Sequence, residues 1–587
     1  MAPRKSWPDR VLVAATCTLV ATLPWLQTTQ FNDVQTAPKQ MVLLVCGAIG
    51  LLALWWDGVQ LPKARSVLVP LALFAAAALL STAFATDPRA SLLGWYGHRF
   101  GLVTLLALPV PFLLGAGVTE RYGFRPLAIA GLIGVAVAAL TAFLQEVGVG
   151  GVFAATRTAN RSNGGAGSAN DLAACMALGT AFLAPLASKR WRIPTLAGAT
   201  GLITFGSVAS GGRLGALALL SALVLAGVLL FIRFGWRSRA LRPEAMGLIA
   251  GVALGLLLAA ATGSLGTLAG RYQARTPEES VLGKDSLEIG VSGTIRFELW
   301  RAGLGAALAR PLVGHGPDSF VLINGKYRDP NSPAMDERPQ ILYPSAHSIV
   351  FDYAANLGLL GLAALITIAI AVVLPTLRRI RTTPPHIPYL IAGLAGYSAM
   401  VLVNPEPIAA SPVAWVLLGC CTPLGRPLRR PARILARSAL AASAVGATAL
   451  ALAIANAEVI AHKAVEHTRA GDFRAASLDW KFASDSLPFE LRYQAYRSLT
   501  LALLGAQSHQ REDLEVALRA SSAVNARFEP LAPDLLREAA LLTLLEPGSP
   551  KIEATLLRLR DVQPYSGYWI KLAQGVREDR SRLNDAK

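Results

Sequence analysis

The stretch HSIVFDYAANLGLLGLAALITIAIAVVLP, residues 347–375, decides the fold class of this chain. It opens on His347, carries one carboxylate at Asp352, and is otherwise an apolar run that ends at Pro375. A helix over these residues is roughly 42 Å long at about 1.5 Å per residue, enough to cross a hydrocarbon layer of roughly 30 Å. The stretch therefore predicts a membrane-spanning helix with a histidine at its mouth.

Similar apolar runs recur along the 587 residues, of which 53% are apolar and 16% charged. This composition excludes an ordinary soluble protein and predicts an all-α, polytopic membrane protein with about 12–13 transmembrane helices. The predicted spans cover residues 11–28, 38–56, 66–86, 101–118, 126–145, 169–187, 193–209, 214–232, 246–268, 348–374, 387–403, 412–424 and 437–457.

The net charge of +18 comes from basic residues that cluster in every second connection. This pattern is typical of cytoplasmic loops and makes nucleic acid unnecessary as a partner. It predicts a cytoplasmic N-terminus. The segments predicted to lie outside the cytoplasm are residues 87–100, 147–168, 210–213, 269–346, 404–411 and everything after 458.

Two regions depart from the membrane pattern. The long loop 269–346 contains the sequence TIRFELWRAGLGAALAR, which predicts an amphipathic helix ending at Pro311. The tail after residue 458 has helical segments broken at Gly471, and its AGDFRAA progression resembles a tetratricopeptide unit. We predict a transmembrane domain of residues 1–458 and an extracytoplasmic helical-repeat domain of residues 459–587, which could recruit envelope proteins as partners.

Five arginines stand in the segments predicted to face outward, where cations are scarce: Arg99, Arg157, Arg161, Arg213 and Arg296. A guanidinium keeps its charge in a low dielectric and presents a fork of donors that suits phosphate oxygens. Arg213 directly precedes an apolar span, so a lipid pyrophosphate would be a natural partner. The alternative is that each arginine reaches to lipid headgroups or pairs with a loop carboxylate.

His347 is the candidate base. If the helix of residues 348–374 is extended to His347, then Ala354, Gly358 and Gly361 share its face, and small residues mark close packing between membrane helices. The histidine is therefore predicted to point into the bundle. Its ordinary pKa of about 6.5 suits removal of a proton from a hydroxyl. The alternative is a histidine that caps the helix.

Other kinds of chemistry lack a sequence signal. The outward loops contain no paired metal-ligand motif. The glycine-rich segment at 163–170 lacks the lysine of a nucleotide-binding loop. We predict neither a metal nor any other cofactor.

Four sequence blocks together resemble bacterial O-antigen ligases and the related O-antigen polymerases and protein O-oligosaccharyltransferases. The resemblance places Arg213 on the key arginine of these families, His347 on their essential histidine, and Asn170 in a glycine-rich block. The four blocks are RSNGGAGSANDLA at 161–173, SGGRLGAL at 210–217, RFELWRAGLGAALARPLVGHGPDSF at 296–320 and AHSIVFDYAANLGLLG at 346–361.

The resemblance implies transfer of a glycan from an undecaprenyl-pyrophosphate-linked donor to an acceptor hydroxyl, at the outer face of the bacterial cytoplasmic membrane. It implies an inverting reaction without metal, in which His347 activates the acceptor and Arg213 binds the pyrophosphate. Further candidates for substrate binding are Arg161, Arg296, Arg157, Arg99 and Asn170.

The acceptor stays open, because a glycan, a lipid and a protein are equally compatible with this chemistry. A ligase, a polymerase and a protein O-glycosyltransferase therefore remain alternatives. A transporter or flippase of lipid-linked sugars is a further alternative, although such proteins hold their polar sites near the bilayer midplane between inverted repeats. No internal repeat is evident here.

Overall fold

The computed structural model describes residues 6–56, 60–149, 161–184, 191–235, 241–273, 293–329, 342–425 and 430–562. Within these ranges the regular elements are helices, and one isolated β-bridge joins Pro62 to Leu424. Eight helical stretches of the described residues are long and apolar enough to cross a membrane, and one of them, Leu102–Tyr122, consists of two consecutive helices. The chain is therefore an all-α, multi-pass membrane protein, as its apolar runs predict.

The first half of the membrane part extends to the first glycine-rich block and the short helix that follows it. Its helices are α1 (Trp7–Thr22), α2 (Thr36–Leu54), α3 (Arg65–Ala83), α4 (Pro88–Leu93), α5 (Leu102–Ala107), α6 (Pro109–Tyr122), α7 (Arg125–Glu146) and α8 (Ala169–Gly179), the last continued by a 3₁₀ turn (Thr180–Phe182).

The second half carries the long loop and the stretch around His347. Its helices are α9 (Arg192–Ala209), α10 (Arg213–Phe234), α11 (Leu241–Ala261), α12 (Ser264–Gln273), α13 (Gly293–Ala309), α14 (Phe320–Ile323) with a 3₁₀ turn (Asn324–Tyr327), α15 (Ile349–Arg378), α16 (Ile387–Val401) and α17 (Ser411–Cys420). The helix predicted in the long loop is confirmed as α13, but it is not clearly amphipathic, because Phe297, Leu304 and Leu308 are exposed.

Each of the thirteen predicted spans overlaps a helix or, for residues 101–118, the consecutive helices α5 and α6. Five of the predicted spans form helices of only 10 to 18 residues, namely α1, α8, α9, α16 and α17. Whether these five cross the membrane stays a prediction. The span predicted at 246–268 ends early, because α11 stops at Ala261 and Gly263 turns the chain with φ of +76°.

The connections predicted to be cytoplasmic meet at one end of the bundle. Lys63 donates its amide to the carbonyl of Pro423 at 3.0 Å, and Arg121 pairs with Asp9 at 2.9 Å. Arg233, at the end of α10, donates to the carbonyl of Thr383 just before α16. The basic segments thus share one end, as the charge pattern predicts, and the side of the membrane they face stays a prediction.

The helix α15 is not continuous, although the sequence predicts an unbroken span. Gly358 has φ of +68° and interrupts the helix. The segment 311–316 enters the break, where the amides of His315 and Gly316 donate to the carbonyls of Ala355 and Asn356 at 3.0 and 2.9 Å. A Cβ on Gly358 would lie 2.3 Å from the carbonyl oxygen of Leu312, so only glycine fits.

The C-terminal tail is fastened to the membrane part. The helix α18 (Arg430–Arg469) runs from the membrane part into the tail, so the predicted boundary at 458 falls inside it. The tail continues as α19 (Phe473–Ser486), α20 (Leu491–Ser508), α21 (Arg511–Arg527), α22 (Ala532–Leu545) and α23 (Pro550–Val562). The tail is thus helical where it is described, and its assignment as tetratricopeptide repeats stays a prediction.

One apolar cluster joins this tail to the start of the chain. It combines Ala37 and Leu44 of α2 with Ile454 and Ala457 of α18 and with Trp480 of α19. Burial of such side chains favours a fixed position for the tail, at about 25 cal/mol per Å² of apolar area removed from water.

Candidate functional site

His347 lies in a turn that precedes α15. Its φ is +55° and Ser348 is the N-cap residue, without a side-chain capping bond. The helical wheel that placed His347 on a helical face is therefore wrong, and so is the alternative of a helix-capping histidine. Its Nδ1 is nevertheless buried, and within the described structure it has no hydrogen-bond partner.

The turn that carries His347 is held by Asp352 from the first turn of α15. One carboxylate oxygen accepts from the hydroxyl of Ser345 at 2.5 Å, and the other accepts from the amide of Ala346 at 2.6 Å. The hydroxyl oxygen of Ser345 in turn accepts from the amide of His347 at 2.8 Å. A carboxylate one helical turn away thus fixes the backbone of the candidate base.

The surroundings of His347 keep its ring uncharged at neutral pH. Burial, the guanidinium of Arg296 and the imidazolium of His98 together lower the pKa of His347 to about 3. Arg296 lies on α13 and donates through Nη2 to the side-chain oxygen of Asn404 at 3.2 Å. Its Nε is buried without a partner in the part of the chain that the structure describes. The structure therefore brings two predicted residues together, a neutral imidazole and a guanidinium.

A second histidine, His98, belongs to the same electrostatic group. Its Nδ1 lies 2.6 Å from Oδ1 of Asp318. Burial acts to lower the pKa of His98, but the carboxylates of Asp318, Asp352 and Glu406 outweigh it and raise the pKa to about 9. His98 is thus charged at neutral pH, and its Nε2 is buried with no partner among the described residues.

A small cavity of about 30 Å³ lies beside His98 and Asp318. Its surface is mostly apolar, but its lining includes polar side chains such as Glu406, which accepts from the hydroxyl of Tyr353 at 2.9 Å. The lining also includes His98, Asp318, Asp352, Tyr353 and Asn356. About 10–15 Å³ of such space suffices for one water, so the cavity has room for one or two hydroxyl-sized groups.

The arginines Arg161 and Arg213 gather at a second place, where α8 and α10 begin. Arg161 donates through Nε to the carbonyl of Ser210 at 2.8 Å and through Nη2 to the side-chain oxygen of Asn170 at 3.0 Å. A Cβ on Gly212 would lie 3.5 Å from Nη2 of Arg161, so the backbone just before Arg213 lies close to that guanidinium. The side chain of Arg213 is exposed.

An apolar groove of about 470 Å³ begins one residue after Arg213. It runs along α10 and is closed on one side by Ala399 of α16. Leu217, Leu220 and Val224 line it and are 54%, 58% and 58% exposed. The guanidinium-bearing residue Arg213 therefore adjoins a long apolar surface.

The arginines Arg161 and Arg213 lie at the same end of the helix pair α10 and α16 as the group of His347 and Arg296. The contact of Arg233 with the segment before α16 shows that the two helices run antiparallel. The end of α10 that carries Arg213 therefore lies at the end of α16 that leads to Asn404, the partner of Arg296.

The structure corrects the prediction that Arg99 binds the substrate. It is fully buried and pairs with Asp33 at 2.8 Å, with Glu458 at 2.5 Å and with Glu490 at 4.0 Å. Protein carboxylates thus compensate its charge, and Arg99 does not stand in either group as a substrate ligand. Arg157 lies outside the described residues.

The sequence missed His98 and the roles of Asp318 and Asp352. Asp318 stands inside the block that ends at Phe320, where it was only one of several carboxylates of the long loop. His98 stands beside Arg99 in a short loop that the charge pattern predicts to face outward, and this position next to a selected arginine was the one signal available in the sequence. Within the described ranges, no group of three or more His, Cys, Asp or Glu residues could hold a metal ion.

Comparison with known proteins identifies the segment that carries most of these residues. Residues 198–366 match the family model described as O-antigen ligase. The matched range includes Arg213, Arg296, Asp318 and His347, and it does not reach the tail. No curated protein gives a significant match to the chain. The segment of residues 198–366 is thus similar to the O-antigen ligase family.

Proposed function

We propose that this protein transfers a glycan from an undecaprenyl-pyrophosphate-linked donor to an acceptor hydroxyl at the outer face of the bacterial cytoplasmic membrane. The family match supports glycan transfer of the ligase or polymerase type in general. The observation that carries the finer proposal is the neighbourhood of His347, an uncharged imidazole beside the guanidinium of Arg296 within the matched segment.

His347 acts as the base. The acceptor hydroxyl gives its proton to the ring of His347 as its oxygen attacks the anomeric carbon of the donor. A bond forms between that oxygen and the anomeric carbon, and the bond from this carbon to the pyrophosphate oxygen breaks. The electron pair leaves with the pyrophosphate. One displacement of this kind inverts the anomeric centre.

The donor pyrophosphate binds where α8 and α10 begin. Arg161 and Arg213 supply two guanidinium groups, and helix N-termini add a partial positive charge that favours anions. Asn170 orients Arg161 through their 3.0 Å hydrogen bond. The apolar groove after Arg213 accepts part of the polyprenyl chain.

The leaving charge is stabilised from the side of α13. Arg296 is held by Asn404, and its buried Nε is available to an oxygen atom of the substrate. A donor fixed in a low-dielectric site stabilises charge that develops in the transition state more effectively than water does. In this account the reaction needs no metal.

Reconstitution tests the proposal. The purified protein in liposomes, given an undecaprenyl-pyrophosphate glycan and a lipid, glycan or peptide acceptor, is expected to form product and release undecaprenyl pyrophosphate. Arg213→Ala and Arg296→Ala should lose most of this activity, whereas the control Arg301→Ala, on the exposed side of α13, should keep it. Movement of intact donor across the bilayer without its cleavage would instead favour a flippase.

A divalent-metal chelator separates the metal-free account from a metal-assisted one. Turnover should continue in its presence at the same rate. Loss of turnover that added metal restores would contradict the role given to the arginines.

A further inference from the structure

The loop of residues 94–101 is held from two sides. Its residue His98 faces Asp318 in the candidate site, whereas its residues Trp95, Tyr96 and Arg99 contact the C-terminal tail or the helix that enters it. The loop is therefore a direct physical connection between the site and the tail.

On the tail side, the strongest contact is the buried ion-pair cluster of Arg99. Its Nη2 lies 2.5 Å from Oε1 of Glu458, and its Nη1 lies 4.0 Å from Oε2 of Glu490. The side chains of Arg99 and Glu458 are both 0% exposed. A charge buried this completely is costly to leave unpaired, so the tail carboxylates, together with Asp33 of the membrane part, hold Arg99 in position.

Aromatic residues add further contacts. The hydroxyl of Tyr96 donates to Oε2 of Glu458 at 2.9 Å, and its ring meets that of Tyr493 edge to face at 5.8 Å. The guanidinium of Arg492 lies 5.0 Å from the ring centre of Trp95. Three residues of this short loop are thus anchored to α18 and α20.

On the site side, Asp318 holds the same loop. Besides its bond to His98, it accepts from the amides of Trp95 and Phe100 at 2.7 and 3.1 Å. Arg99 adopts φ of +60°, a conformation that is unfavourable for a residue with a Cβ. Such a backbone persists when its surroundings over-determine it, and here the tail, Asp33 and Asp318 do so together.

We propose that His98 is a further residue of the transfer site and that the C-terminal tail positions it through Arg99 and Glu458. This inference rests on the proposed function. His98 binds Asp318 through Nδ1, so its Nε2 is the nitrogen left to donate to an oxygen of the bound substrates. Arg99 and Glu458 touch no substrate and act as positioning residues.

The charge of His98 agrees with this role. A protonated imidazole donates from both nitrogens, so a donor at Nε2 does not compete with the bond to Asp318. Its positive charge also helps to keep the neighbouring His347 unprotonated. One histidine is thus held charged and the other neutral within one site.

The test uses the full chain and an acid-to-amide change on the tail. Glu458→Gln keeps the shape of the side chain and removes its charge. We expect kcat of glycan transfer to fall about 10- to 100-fold with little change in KM for the donor, because His98 loses its exact position. The matched control is Asp479→Asn, which breaks the 2.8 Å pair with His467 inside the tail and touches no residue of the loop.

Hydrogen–deuterium exchange provides a second readout that does not depend on the reaction. In Glu458→Gln, amides of residues 94–101 should exchange about tenfold faster than in the parent protein, since a hydrogen bond to a charged group is lost. Asp479→Asn should leave this exchange unchanged. Arg492→Ala removes the contact with Trp95 together with the hydrogen bond to Tyr496 inside the tail. It should produce a smaller effect in the same direction, and it covers the case in which Glu458→Gln fails to fold.

A double-mutant cycle decides whether the tail acts through His98. In a His98→Gln background, Glu458→Gln should cause little further loss of kcat, because the group that it positions is already absent. Losses that multiply would overturn the proposal, and so would unchanged exchange in the loop. If the parent protein transfers no glycan, the proposed function fails, while the exchange measurement still decides whether the tail holds the loop.

Discussion

Asp352 holds the backbone turn that carries His347. Its two oxygens bind the hydroxyl of Ser345 and the amide of Ala346, and the same hydroxyl binds the amide of His347. The carboxylate therefore belongs to the mechanism as a positioning group, and its effect should appear in the rate of the reaction rather than in binding of the donor.

Replacing this carboxylate should slow the reaction. Asp352→Asn turns one acceptor oxygen into a donor, so the turn before His347 loses a hydrogen bond and shifts. We expect kcat to fall about 10- to 100-fold, with KM for the lipid donor nearly unchanged. Steady-state kinetics in liposomes measures both. Asp329→Asn is the matched control, because Asp329 pairs with Arg301 away from the turn. An unchanged kcat for Asp352→Asn would remove Asp352 from the account.

The pH dependence of the reaction should reflect the low pKa of His347. The neutral ring is the active form, so kcat/KM should stay level as the pH falls from 7 and decline only as the pH approaches a pKa of about 3. Arg296→Gln removes a positive charge beside the ring, which raises the pKa of His347 and moves the acid limb to higher pH. Arg301→Gln should leave it in place. An acid limb that is identical in the parent protein and in Arg296→Gln would contradict the assigned pair.

The ion pair of His98 and Asp318 predicts a stability that depends on pH. The pKa of His98 is about 9 in the folded protein and about 6.5 when unperturbed. The folded state therefore holds this proton more tightly, and its contribution is complete below about pH 6.5 and lost as the pH rises through about 9. The apparent melting temperature in detergent should fall across this window.

The variant His98→Gln supplies the control for that measurement. It lacks the titrating group, so its melting temperature should be lower at pH 6.5 and should change less between pH 6.5 and 9. The same fall in both proteins would show that another group titrates in this window.

The break in α15 predicts a strong effect of a single methyl group. Gly358→Ala places a Cβ 2.3 Å from the carbonyl oxygen of Leu312 and requires φ of +68°. We expect a loss of stability of at least about 1–3 kcal/mol, visible in thermal unfolding, together with reduced activity. Gly446→Ala in α18 is the control, since its Cβ would meet nothing within 4 Å. A neutral Gly358→Ala would mean that segment 311–316 is not locked into the break.

The sequence predicted the helices better than it predicted their interruptions. Apolar runs reveal spans directly, because length and composition suffice. Glycine is common within membrane helices, so Gly358 carries no local sign that the chain leaves the helix there. The break exists because the segment 311–316 supplies hydrogen-bond partners from elsewhere in the chain, and single-sequence periodicity does not contain that information.

The candidate site likewise combines residues that a local stretch of sequence reveals with residues that only the tertiary fold reveals. His347 could be selected because it stands at the mouth of an apolar run, and Arg296 because it is an arginine in a segment predicted to face outward. Arg99 met the same criterion, yet its partner Glu458 lies 359 residues further along the chain. His98 shows the converse, since Asp318, 220 residues away, gives it its charge. Pairings over such distances depend on the tertiary fold.

The central claim, that His347 takes the proton of the acceptor, is tested most directly by single-turnover transfer from an undecaprenyl-pyrophosphate glycan in liposomes, with His347→Gln compared with the parent protein at saturating donor. We predict that His347→Gln binds the donor as tightly as the parent protein but forms product at least about 100-fold more slowly, since general-base catalysis contributes roughly 10²- to 10⁴-fold. Product formation at the parental rate would contradict the account.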